Sequence, residues 1–89
     1  PPVSSHAQPI LAARAGRITS FDNRRLAKIA KLAGAPEAKA AGMELQVRLG
    51  QEVESGQPLY TIHAETRGEL AYALEFATAN PDIIVASDS

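Results

Sequence analysis

Met43, Leu45, Val47 and Leu49 alternate with Glu44, Gln46 and Arg48, a period of two that predicts a strand with one buried face. Upstream the period changes. Leu26, Ile29, Ala30 and Ala33 recur at i, i+3, i+4 and i+7, while Arg24, Arg25, Lys28 and Lys31 populate the other side, so this stretch predicts an amphipathic helix. Asp22 suits its N-cap, Gly34 its end, and Pro36 blocks resumption. A second helix is expected from Thr66 as cap through about Thr78, with Glu69 as the capping-box partner and Leu70, Ala73, Leu74 and Ala77 as its apolar face; Asn80-Pro81 breaks it.

The remaining apolar runs are short. Ile10 to Ser20 reads as two strands bent at Gly16, Leu59 to Ala64 as a strand started by Pro58, and Ile83, Ile84 and Val85 as a last strand. The segment 35–42 reads as a loop, and Gly50 and Gly56 bracket a tight reversal around Val53. The expected order is β-β-α-β-β-α-β. It predicts an α+β fold: a small, mostly antiparallel sheet or flattened barrel with two helices packed on it. Residues 1–9, with three prolines and no apolar period, read as an extended linker and not as a secretory leader. Residues 10–86 are expected to form the domain and 87–89 a frayed tail.

Composition narrows the function classes. The chain has 89 residues with 9 basic and 10 acidic side chains, a formal charge of −1. That balance, with two Phe, two Tyr and no Trp, argues against a phosphate-backbone or base-stacking surface, so no nucleic-acid partner is expected. No apolar run reaches the length of a membrane span, so no membrane partner is expected either. The absence of cysteine excludes disulfides, thiolate metal sites and a cysteine nucleophile, and fits a reducing compartment. Of the apolar residues, 17 are alanine, which bury little surface each. The chain is therefore expected to be a marginal lone domain, or one that docks on something larger, and the lack of Met at position 1 fits the tail of a longer chain.

Catalytic material is thin. His6 falls in the expected linker. His63 lies near a strand end with Glu65 two residues on; the pair could serve a general base or offer two metal ligands, but no third ligand or nucleophile accompanies it. A partly buried structural histidine is the plainer reading. No serine sits in a nucleophile elbow and no glycine-rich phosphate loop is present. The basic row on the first helix reads as a solvated face. Its two arginines in the first turn oppose the helix dipole, which predicts an Arg24–Asp22 or an Arg25–carboxylate pair. No catalytic, cofactor-binding or metal-binding residue is therefore assigned.

The turn in LGQEVESGQPLYTIHA resembles that of biotinyl and lipoyl carrier domains, which need a modifiable lysine at a hairpin tip. Lys28 and Lys31 are placed on a helix and Lys39 in a loop, so a carrier role is not expected. A free-standing interaction module of that kind, without a modified lysine, is the alternative reading. Three blocks together, AGRITSFDNRRLAKIAKLAGAPEAKAAGMEL, VRLGQEVESGQPLYTIHAE and ELAYALEFA, resemble the C-terminal domain of thymidine and pyrimidine nucleoside phosphorylases over about residues 10 to 86. The wording DNRRLAKIAKLAGAP is similar to the archaeal-type branch, which includes AMP phosphorylases. The resemblance implies an α/β hammerhead-like third domain of a cytoplasmic, dimeric glycosyltransferase. The parent would cleave a pyrimidine nucleoside, or AMP, with orthophosphate, giving free base and sugar phosphate. In that family the phosphate loop and substrate contacts lie in the two preceding domains. The expected partner is thus the remainder of the parent chain, with orthophosphate bound outside these residues, no cofactor here, and a structural role.

Overall fold

The computed structural model describes residues 6–35 and 41–87. Six strands and two helices follow in the order β1 (His6–Leu11), β2 (Gly16–Phe21), α1 (Asn23–Leu32), β3 (Gly42–Leu45), β4 (Glu52–Val53), β5 (Pro58–Ala64), α2 (Arg67–Ala79) and β6 (Ile84–Ser87). The α+β class and both helices are as expected. The strands form two three-stranded sheets, β1-β5-β3 and β4-β2-β6, and every pairing is antiparallel.

Both helices start on the expected caps. The Asp22 carboxylate accepts the Arg25 amide at 3.0 Å, and the Thr66 hydroxyl accepts the Glu69 amide at 3.1 Å, each satisfying an N–H that the first turn leaves without a helical partner. The Glu69 carboxylate accepts a hydrogen bond from the Thr66 hydroxyl at 2.9 Å, a side-chain variant of the expected capping box. Helix α1 packs over β3 and β5, α2 over β5 and β1, and the helices touch each other. Their small residues allow close approach: Ala33, Ala73 and Ala77 are buried. Ala27 and Ala71 are exposed, so the alanine-rich faces serve packing within this fold and only in part face outward.

In β5, Tyr60, Ile62 and Ala64 are buried while Thr61 and His63 are half-exposed, the alternation that one covered sheet face requires. The most deeply buried large side chains are Ile18, Ile29, Ile62 and Ile83, one each from β2, α1, β5 and the approach to β6. The core therefore links both sheets to the helix layer.

Five details differ from the sequence pattern. Strand β1 starts at His6, inside the segment read as linker, because edge strands tolerate Pro9. Strands β1 and β2 belong to different sheets: the chain turns at residues 12–15, where Ala12 exchanges backbone bonds with Gln57 O (2.8 Å) and Gly56 N (2.9 Å). The reversal after Gly50 contains a further two-residue strand, β4, and its bracketing glycines take φ of 86° and 87°, which β-carbon-bearing residues rarely adopt. Strand β3 ends at Leu45, and of the four apolar positions expected on its buried face only Val47 is buried, while Leu45 and Leu49 are exposed, since no described element covers them. At the other end β6 runs through Ser87, inside the expected tail.

Candidate functional site

Arg25 is the centre of the densest polar cluster. Its Nε donates to Asp22 Oδ2 at 2.7 Å, and its Nη1 donates to Asp82 Oδ1 at 2.8 Å and Asn80 Oδ1 at 3.0 Å. Asn80 in turn donates from Nδ2 to the Phe76 carbonyl at 2.8 Å. The expected arginine–carboxylate pair is present, on Arg25 and not on Arg24. It joins the start of α1 to the α2–β6 connection, and it offsets the dipole cost of a cation at a helix N-terminus. The hydrogen bonds from Arg25, first its backbone N–H and then its side chain, hold the Asp22 carboxyl below the ordinary carboxylate range. The Arg25 guanidinium does the same to Asp82, and both carboxylates push the Arg25 value up. Every group in this cluster is engaged by another, so it is a clasp. Asn80 and Asp82 were missed as clasp members in the sequence, where Asn80-Pro81 registers only as a helix stop.

His63 is half-buried and its Nε2 lies 3.3 Å from Glu44 Oε1 on β3, which is the diagonal neighbour on the open sheet face. Next to it Thr61 donates to Gln46 Oε1 at 2.9 Å. His63 thus meets a carboxylate from another strand, a neighbour that sequence proximity does not show. Among the described residues no three His, Cys, Asp or Glu side chains group as a metal site. Lys28 and Lys31 lie on the exposed side of α1. Lys39 falls outside the described residues, and no lysine occurs between Gly50 and Gly56.

A groove of about 470 Å³ opens between residues 10–14 and residues 83–86, with Leu59, Tyr60 and the end of α2 completing its walls. Its lining is mostly apolar. Its charged members already have structural contacts: Arg14 Nη2 donates to the Ala86 carbonyl at 3.1 Å, and Asp82 is held by Arg25. Burial pushes the Tyr60 phenol above its ordinary value, so it stays neutral. The groove has no nucleophile beside a base; its chemistry is that of a surface that receives an apolar group. It was not legible in the sequence, because its walls come from segments some seventy positions apart.

Residues 17–83 match the family described as the pyrimidine nucleoside phosphorylase C-terminal domain. The chain belongs to this family. Over 88 residues it is 59% identical to a protein of Sphingopyxis alaskensis named "Putative thymidine phosphorylase", covering 99% of this chain and 17% of that protein. Proteins of the same name from Chelativorans sp. and Legionella pneumophila are 55% and 51% identical over 94% and 91% of this chain, which covers 16% of each. A phosphorylase C-terminal domain of this kind thus spans about a sixth of the length of the curated relatives it matches. No described helix is long and apolar enough to cross a membrane.

Proposed function

We propose that this chain is the non-catalytic C-terminal domain of a cytoplasmic thymidine phosphorylase. The parent would be a glycosyltransferase of nucleoside salvage that cleaves a pyrimidine nucleoside with orthophosphate to free base and sugar phosphate. The carrying observation is the family match over residues 17–83 together with 59% identity to a thymidine phosphorylase-named relative of which this chain spans 17%. The domain braces the catalytic part of the chain or the contact between two subunits of a homodimer. Its arginine clasp, engaged histidine and apolar groove are consistent with that role, since none presents a reactive pair to solvent. The wording DNRRLAKIAKLAGAP supports the finer assignment to the archaeal-type branch, in which AMP is the competing substrate.

The experiment compares three proteins: the full-length enzyme carrying this chain, the 89-residue chain alone, and the enzyme without it. Each is given thymidine, uridine or AMP with orthophosphate, and released base is measured. The full-length enzyme should turn over one of these substrates and the 89-residue chain none. Removal of the chain should lower the melting temperature or disrupt assembly before it alters turnover per folded molecule. Turnover by the chain alone, or unchanged melting and assembly with turnover lost, would overturn the proposal.

A further inference from the structure

Among the described residues four strand edges have no further strand beside them: β1 and β3 flank one sheet, β4 and β6 the other. An open edge is a template for another strand, and proteins blunt such edges with charge or proline. Three of the four carry such a guard, Pro9 in β1, Glu44 in β3 and Glu52 in β4. Strand β6, with sequence IVAS, carries none, and it forms one wall of the apolar groove.

The backbone points the same way. Ile18 of β2 lies opposite Ala86. Its amide donates to Gln51 O at 2.9 Å and its carbonyl accepts from Gly50 N at 2.8 Å, both on the side away from β6. In an antiparallel ladder the residue opposite such a position turns its own N–H and C=O outward. Ala86 therefore offers both to the groove, and Arg14 donates to that carbonyl from the opposite wall, standing where a neighbouring strand would.

We propose that β6 is the acceptor edge for an extended apolar segment from the remainder of the phosphorylase chain, which enters the groove and adds a fourth strand to β4-β2-β6. The proposal rests on the reading of this chain as one domain of a longer enzyme: it covers 16–17% of its relatives, so most of such a protein lies outside these residues. Main-chain bonds to Ala86 would hold the segment, and its alternate side chains would fill the apolar lining. A second copy of the chain fits less well, because its β6 arrives with its own β1 wall and Arg14, and the two grooves would meet wall to wall. Leu11, half-exposed on the groove's rim, is the apolar surface such a segment would cover.

The test uses the full-length enzyme with a photoreactive side chain at the groove (Leu11→benzoylphenylalanine) and, as a control, at the exposed Tyr72. Irradiation and peptide mapping should join position 11 to one segment outside residues 1–89 of the same chain, at a yield several-fold above the control. Mixed light and heavy isotope labelling identifies the copy of origin. Adducts within residues 1–89, adducts to a second copy, or a yield no higher than the control would overturn the proposal. Ala86→Pro removes the outward amide without removing a bond to β2; it should cut the adduct yield at least about fivefold, and an undiminished yield overturns strand addition. Should that variant misfold, wild-type hydrogen exchange decides. In the full-length enzyme the outward Ala86 amide should exchange at least about tenfold more slowly than an unprotected amide of the same sequence context, and exchange at the unprotected rate overturns the proposal. Phosphorolysis by the same preparation is assayed alongside. The expected adduct without phosphorolysis supports the groove assignment and sinks the thymidine phosphorylase reading; phosphorolysis without the adduct does the reverse.

Discussion

Gly16 opens β2 for a reason that only its neighbour reveals. A Cβ built there would meet the Ser87 carbonyl oxygen at 2.9 Å and its carbon at 3.1 Å, and these are backbone atoms that cannot swing aside. Gly16→Ala is expected to displace β6 and cost on the order of 1–3 kcal/mol, read as a melting temperature several degrees lower; unchanged or raised melting would show that β6 yields freely. The sequence marks Gly16 as a bend, but φ there is not positive. The requirement comes from a residue seventy-one positions away, which no local pattern encodes. His63 illustrates the converse. Its strand position and half-burial follow from alternation, while its Glu44 partner comes from the register of β3 against β5. With both side chains on the open sheet face, His63→Gln in the full-length enzyme should leave kcat/KM within about twofold; a loss of orders of magnitude would give His63 a part in the chemistry.

The helices were the most legible elements because their start signals are local. Asp22 and Thr66 each reach an amide three residues on, well within the span that a sequence window covers. Thr66→Ala should cost about 1 kcal/mol, some 4–8 °C of melting temperature in a domain of this size, and Thr66→Ser should restore most of it. No loss in the alanine variant would mean that Glu69 caps the helix unaided. The strands were less legible. Two residues of β4 are too few for any period to register, and Pro9 disguises residues 6–9 of β1 as linker. The alternation from Met43 to Leu49 overstates both β3 and its burial: Leu45 and Leu49 are exposed, because a period of two marks an amphipathic stretch and not whether another element covers its apolar side. Val47 is buried beyond the strand's end.

The Arg25 clasp acts on the whole molecule, since it ties α1 to residues 55 and 57 positions further on. Asp22 and Asp82 both titrate below their ordinary value in the folded chain. The unfolded chain therefore binds more protons as the pH falls through about 4. The stability that the clasp contributes is present above that pH and is lost as the pH drops through the lowered folded values. The melting-temperature difference between the wild type and Arg25→Gln should accordingly be largest near neutrality and shrink below about pH 4. A difference constant from pH 7 to pH 3 would show that the clasp acts through packing alone. Local periodicity and capping chemistry were enough to determine the α+β class, both helices and the need of a first-turn arginine for a carboxylate, because each depends on residues close to one another in the chain. The division into two sheets, the choice of Asp82 and Asn80 as clasp partners, the pairing of His63 with Glu44, and the groove beside an unguarded β6 were decided by tertiary structure. Each depends on which distant backbone segments lie side by side, and that follows from how the whole chain buries Ile18, Ile29, Ile62 and Ile83 together.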